Sequence, residues 1–404
     1  MRRLLDKLFA PKSCPMGLEI GLDCVRMIQL SYRDDQFFVE CAERRPLEPG
    51  LDPAGPLYQK QLLGAIREIR DHGRFSGQEV IFCLPGDRLR IKSMRLDSID
   101  PESLEKMIYS DTMKRFGLNH QQDEIRWLIA GNVFQGEEIK NEVIFFGMDR
   151  EELTTHLDIL QEARLYPVSV DAMPCALFRS FQRSLRREED QEVVSVLVDL
   201  GTRYTTVIIA RGKVIVFVKQ IPLAGDHLNE AIALALKVDV AESMRLVQSL
   251  QESSESRDDT MTKQAVNDAM RSIIEDLARE ISLCFKYYAV TFRGQRPTEM
   301  VFAGGNMYES ALMEALSRQL NVTIRIAEPL RGFDLSRATF DRRPNPRMGE
   351  WAVAVGLALK YQTVFGMSSS DCPEEAQEPE MQAEAPSDSK DSDLSEKTNE
   401  AVTA

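Results

Sequence analysis

The stretch MGLEIGLDCVRMIQL, residues 16–30, reads as an apolar strand, a glycine turn and a second strand, with Glu19 ahead of Gly21. Its plan returns at residues 194–207, VSVLVDLGTRYTTV, where Asp199 stands ahead of Gly201 at the same spacing. Apolar and β-branched runs suit a pleated, buried surface, and glycine beside aspartate or threonine suits a tight reversal. A strand–turn–strand unit that recurs after roughly 180 residues signals an internal duplication. The two turns are expected to face each other across a cleft between the halves.

Working outward from the first turn, strands are expected over 16–21, 24–30 and 37–42. A helix over 57–72 then places Leu62, Ile66 and Ile69 on one face, and a strand over 80–84 is stopped by Pro85-Gly86. A helix over 150–164, a strand over 168–171 and a helix over 175–185 close this half. The second half repeats the order, with strands over 193–200, 205–210 and 214–221. Its long helix over 263–288 carries Val266, Met270, Ile273, Leu277, Ile281, Phe285 and Tyr288 at three- and four-residue spacing. A strand over 299–303, a helix over 308–320, a strand over 322–327 and a helix over 349–360 complete it.

Insertions distinguish the copies. The first holds a strand over 90–96, a helix opened by Asp100-Pro101-Glu102, and a hairpin of 124–134 with 143–148. Asp can cap free N–H groups there, and Pro at the first helical position needs none. The second insertion is helical, over 228–236 and 240–250. The fold class is therefore α/β: two βββαβαβα domains flanking a cleft. The first is expected over 16–86 and 151–190 with an α+β insert over 87–150, and the second over 191–221 and 297–364 with a helical insert over 222–296.

Composition narrows the class. At 404 residues, 43% hydrophobic and 28% charged, the chain can bury two cores and is too polar for a membrane bundle. No apolar run approaches the roughly 18–20 residues that span a bilayer, and residues 1–13 lack the pattern of a signal peptide. The seven cysteines include no C-x-x-C pair and the four histidines are dispersed, so the sequence predicts reduced thiols and no zinc site. From residue 370 on, eleven acidic residues stand against two lysines, so about −9 of the net −14 belongs to a tail too poor in apolar residues to order itself. The remainder, about −5, gives no footprint for nucleic acid. Residues 1–15 mix Leu4, Leu5, Leu8 and Phe9 with Arg2, Arg3, Lys7 and Lys12, a basic amphipathic segment suited either to an anionic membrane surface or to capping the first domain.

The sequence carries a family resemblance in GLEIGLDCVR (17–26), DLGTRYTT (199–206), IPLAGDHLNEAI (221–232), AESMR (241–245), AGGN (303–306) and AVGLALK (354–360). In order and spacing these pieces resemble the actin-like (ribonuclease H-like) ATPase fold of actin, Hsp70 chaperones, sugar kinases and FtsA. Within it they look like the PilM family of type IV pilus assembly proteins, over residues 16–360.

The resemblance implies a site for ATP and Mg²⁺. Glycine turns let backbone N–H groups approach a phosphate chain, and Glu19 and Asp199 ahead of them can hold Mg²⁺ directly or through water. The cofactor-binding residues it implies are Glu19, Gly21, Leu22, Asp23, Arg26, Asp199, Gly201, Thr202, Thr205, Gly225, Glu242, Arg245, Gly304, Gly305 and Asn306, with Glu242 and Arg245 reaching ribose and base. Taken singly, each glycine is equally a plain tight turn. Several positions depart from the family pattern: Glu19 replaces the usual Asp, Leu22 and Asp23 replace serines, Arg26 replaces Lys, and Ala224 replaces a glycine. Asp23 adds negative charge where phosphates would sit. No residue is identified to orient an attacking water, so at most a weak ATPase is expected and the catalytic residues are unassigned.

By resemblance, the product of such a chain is a protein contact. The implied partner is the cytoplasmic N-terminal peptide of a PilN-like inner-membrane protein, gripped near the first insert, with further links to pilus motor ATPases, self-association and peripheral contact with the inner face of the cytoplasmic membrane. Trp127, Ile129, Phe145 and Phe146 of the hairpin and Met107, Ile108, Met113 and Phe116 of the helix could line a groove, although most are expected in the insert's own core. The alternatives are an FtsA-like division protein, which usually ends in a membrane-targeting helix, the cytoplasmic part of a type II secretion protein of the GspL kind, which would continue into a transmembrane helix, and a sugar-kinase-like enzyme, which needs a catalytic Asp in the cleft.

Overall fold

The computed structural model describes residues 15–360, apart from 34–35, 49, 98–105, 109, 111–114, 120, 186, 253–256, 305–309, 337 and 341–347. The expected amphipathic segment, the acidic tail, the Asp100-Pro101-Glu102 helix start, Met113, Gly305 and Asn306 lie outside the described residues.

In the first half, β1 (Met16–Ile20), β2 (Cys24–Arg33) and β3 (Gln36–Pro46) form an antiparallel meander. Next, α1 (Pro56–His72) buries Tyr58, Leu62, Ile66 and Ile69, and β4 (Glu79–Cys83) returns parallel to β1. The insert is a separate sheet of β5 (Arg90–Asp97), β6 (Asp123–Gln135) and β7 (Glu138–Asp149) in the order β5-β7-β6. The chain then forms α2 (Arg150–Glu162), capped by the Asp149 carboxylate at the amides of Glu151 and Glu152, then β8 (Tyr166–Val170) and α3 (Met173–Gln182).

The second half repeats the meander with β9 (Val194–Leu200), β10 (Thr205–Arg211) and β11 (Val214–Ile221). It continues through α4 (Gly225–Leu236), α5 (Val240–Glu252) and α6 (Arg257–Phe292), then β12 (Glu299–Ala303), α7 (Ser310–Leu320) and β13 (Thr323–Ile326). The two sheets run β3-β2-β1-β4-β8 and β11-β10-β9-β12-β13, the same order twice. Parallel strands β4 and β12 lie beside β1 and β9, so both glycine turns lie at the carboxyl ends of central strands, where open α/β sheets leave a crevice for ligands.

The last part of the chain departs from the sequence expectation, which put everything from 297 to 364 with the second half. Beyond β13, the chain crosses back to the first sheet. The short strand β14 (Thr339–Phe340) pairs parallel to β3, and α8 (Ala352–Ala358) packs on β1, β2 and α3. Its residues are buried throughout, with Ala352, Val353 and Leu357 in the core that holds Leu18, Phe82 and Leu177. Small side chains permit this approach: a Cβ on Gly356 would lie 1.7 Å from the Ala176 carbonyl oxygen, and one on Gly17 would lie 2.1 Å from that of Ala354.

Candidate nucleotide cleft

The two turns are built alike. Gly21 N–H donates to the Cys24 carbonyl at 3.0 Å, and Gly201 N–H to that of Tyr204 at 3.2 Å. A Cβ on either glycine would press within 3 Å of that same carbonyl oxygen. Both turns are braced from below. Tyr58 on α1, buried, donates its hydroxyl to Gly21 O at 3.2 Å, while Gly225 and Asp226 at the start of α4 donate their amides to Gly201 O and Thr202 O. Among the described residues, the amides of Leu22, Asp23, Thr202 and Arg203 have no protein acceptor, leaving donors on both sides of the cleft for phosphate oxygens.

The register sets the electrostatics. Glu19 on β1 is directly opposite Arg26 on β2, which puts Arg26 Nη1 3.2 Å from Glu19 Oε1, with both side chains largely buried. In the second half, Asp199 is opposite Thr206, so that turn has no matching guanidinium. Burial, reinforced by Asp199 and Asp23 against the pull of Arg26, raises the Glu19 carboxyl to about 7. Burial likewise raises Asp199 to about 6, Arg26 opposing and Asp23 adding to it. Glu19 Oε2 and Arg26 Nε are buried without a partner, the kind of orphaned polar atom that marks a site for an ion or ligand. Gly304, with φ +99°, completes the wall, since a Cβ there would meet Asp199 Oδ1 at 2.8 Å.

The lining extends beyond the residues expected from sequence, to Cys83, Leu84, Pro85, Gly86, Asp87, Met173, Arg203 and Tyr204. Pro85-Gly86 reads in the sequence only as a strand stop. The signal that could have singled out Arg203 is its position: it matches Asp23 of the first turn with opposite charge. Arg203 Nη1 lies 3.2 Å from Asp87 Oδ2, and Gln220 Nε2 donates to Gly86 O at 2.6 Å, so the loop after β4 ties the halves together.

Of the residues the resemblance implied, Glu19, Gly21, Leu22, Asp23, Arg26, Asp199, Gly201, Thr202 and Gly304 converge here. Thr205 is buried and donates its hydroxyl to Leu223 O. Gly225 is engaged with Gly201, and its amide is committed there. Glu242 and Arg245 are exposed on α5, outside the lining of the described cleft.

Four carboxylates (Glu19, Asp23, Asp87, Asp199) face two guanidiniums (Arg26, Arg203), both already ion-paired. The cleft encloses about 80 Å³, against roughly 300–1,000 Å³ for pockets that hold drug-sized ligands. Among the described residues, no three acidic, histidine or cysteine groups cluster as metal ligands. Mg²⁺ is usually held by one or two carboxylates together with phosphate, and Glu19 and Asp199 are the carboxylates of the cleft that could serve. The free turn amides and the orphaned Glu19 oxygen thus suit a magnesium-bridged phosphate, whereas a bare polyphosphate would meet an excess of like charge.

The insert's apolar residues mostly form its own core: Ile108 and Phe145 are buried, with Met107, Phe116 and Trp127 packed against them. Phe146 joins the first-half core, while Ile129 is exposed. Cys24, Cys41, Cys83 and Cys284 are free thiols, and among the described residues no helix is long and apolar enough to cross a membrane.

The family model for type IV pilus assembly protein PilM matches residues 17–362. The chain belongs to the PilM family. The chain of a solved PilM-PilN type IV pilus biogenesis complex superposes with a TM-score of 0.70 at 20% identity, over 85% of this chain and 97% of that one. The ethanolamine utilization protein EutJ from Carboxydothermus hydrogenoformans is also similar, with a TM-score of 0.50 at 13% identity, over 87% of this chain and 90% of that one. No curated protein sequence matches the chain. With its twice-repeated sheet order, this PilM-family chain has the duplicated actin-like fold, and it is a type IV pilus assembly protein.

Proposed function

We propose that the chain is a cytoplasmic scaffold at the inner face of the cytoplasmic membrane, whose cleft binds ATP with Mg²⁺ weakly and whose output is a contact with the N-terminal cytoplasmic peptide of a PilN-like membrane protein. The observation that carries the nucleotide part is the charge of the cleft: Glu19, Asp23, Asp87 and Asp199 outnumber two guanidiniums that are already paired. Magnesium would be held by Glu19 and Asp199 and would offset that excess, while the turn amides of Leu22, Asp23, Thr202 and Arg203 take phosphate oxygens. A bound magnesium ion supplies charge neutralisation and phosphate orientation, and without a water-positioning group this favours binding over turnover.

For the peptide, the insert supplies a recess of about 580 Å³ beside β5, lined by Met94, Leu96, Met107 and Phe116 with Arg95 and Lys140. β5 is an edge strand, and an edge offers backbone groups to an added strand. Links to motor ATPases and self-association belong to the same reading and draw on the family membership.

The test is a titration with labelled ATP plus Mg²⁺ and, separately, with the labelled peptide, on wild type and Asp199→Ala. We expect the peptide to bind both proteins alike, and ATP to bind weakly to wild type and at least tenfold more weakly to the variant, about 1.4 kcal/mol. Binding of neither ligand would overturn the reading.

A further inference from the structure

We infer that Arg203 is a phosphate ligand of the cleft held in reserve by Asp87, so that the protein closes its own nucleotide site with a strap that a polyphosphate must displace. The inference rests on the nucleotide reading of the same site. Three observations carry it. First, Arg203 is at the tip of the second turn, half exposed at 41%, beside the unengaged amides of Thr202 and of Arg203 itself. A guanidinium there can make the two-pronged contact that suits a phosphate, which Arg26, buried against Glu19, is not free to make.

Second, Asp87 is where a phosphate would compete. Its side chain is 9% exposed, lines the cleft, and gives Oδ2 to Arg203, while its buried Oδ1 accepts no hydrogen bond among the described residues and has only the long 3.8 Å ion-pair contact with Arg88 Nε. A carboxylate with one oxygen on the Arg203 guanidinium and the other without a hydrogen bond is a poor resident of a buried site unless its charge is being used. Asp226, 4.0 Å from Arg203 and 41% exposed, is the weaker second partner.

Third, the strap limits the space. Gln220 of β11 holds the carbonyl of Gly86, next to Asp87, at 2.6 Å. Asp87 and Gly86 therefore come from the first half, and Arg203 and Gln220 from the second, and the cleft between them encloses only about 80 Å³. A nucleotide enters only when both contacts release, so its apparent affinity is reduced by the fraction of time the strap is open.

The test is MgATP binding by the full chain, read by fluorescence titration, for wild type, Asp87→Asn, Gln220→Ala and Arg203→Ala. Asp87→Asn removes the competing charge and keeps the shape, and Gln220→Ala loosens the strap without touching the ion pair. Both are expected to bind about three- to tenfold more tightly than wild type, as for a lifted population penalty, and Arg203→Ala, which loses the ligand together with the pair, about tenfold or more weakly than Asp87→Asn. Unchanged or weaker binding by Asp87→Asn and Gln220→Ala, or binding by Arg203→Ala as tight as by Asp87→Asn, overturns the inference and leaves the nucleotide reading standing. Failure of every protein to bind, including the two opened variants, overturns both. If Asp87→Asn melts at a lower temperature, Gln220→Ala decides the matter, because it leaves the Asp87–Arg203 pair intact.

Discussion

Glu19 and Asp199 share a buried neighbourhood with one paired guanidinium, and burial holds both carboxyls above their ordinary values of 4.5 and 3.8, at about 7 and about 6. The sign of the consequence follows from the raised values. A carboxyl that binds its proton more tightly in the folded state contributes stability that is fully present below its unfolded value and is lost as pH rises through its folded value. Folding should therefore weaken between about pH 4.5 and 7 through Glu19 and between about pH 3.8 and 6 through Asp199. Glu19→Gln should flatten that dependence, by up to about 1.4 kcal/mol per pH unit for one proton. Denaturant melts of both proteins across the window check this; an unchanged slope would show that Glu19 stays ionised. Glu19 itself is legible in the sequence, as an acid ahead of a glycine turn. The rise of its pKa is not, because that depends first on burial beneath the assembled fold and then on Asp199, which arrives from the other half of the chain.

The helices and strands follow closely from periodicity, because each half puts its apolar residues on one face of α1 or α6 and at alternate positions of central strands, Met16, Leu18 and Ile20 on β1 and Val196, Val198 and Leu200 on β9. What periodicity does not give is the destination of α8. Residues 352–359, AVAVGLAL, read as a helix hydrophobic all round, and such a helix is buried somewhere without its neighbours being named. The neighbours are chosen by the glycines that meet at the crossings, Gly17 on β1 and Gly356 on α8. Gly356→Ala should cost about 3 kcal/mol, near the upper end for an overpacked core, since the added methyl meets backbone that cannot swing away. Gly64, within α1, has open space where a Cβ would go, so Gly64→Ala should stabilise by roughly 0.5–1 kcal/mol through helix propensity alone. Opposite shifts of melting temperature for the two Gly→Ala changes are the expected result, and equal shifts would refute the crossing.

The halves are clamped at two separate places. One is the strap of Asp87 and Gly86 on Arg203 and Gln220. The other lies on the insert, where Arg95 on β5 pairs with Glu142 directly opposite on β7, and the buried Glu142 also accepts from Tyr287 Oη at 2.8 Å on α6. Arg95 reaches further to Thr291 on the same helix, and the Tyr287 ring packs on Phe217 of β11 at 5.1 Å. Each clamp joins sequence segments more than a hundred residues apart, which explains why neither was legible in the sequence. Tyr287→Phe keeps the ring contact and deprives a buried carboxylate of one donor, so it should cost about 1.5–3 kcal/mol and speed amide exchange in β5 and β7. Combining it with Gln220→Ala separates two arrangements. Independent clamps give losses that add within about 0.5 kcal/mol, whereas clamps acting as one closure give a coupling beyond that, because the first release already relieves the second. A coupled result would mean that whatever docks on the insert also biases the cleft, by the same free energy in each direction.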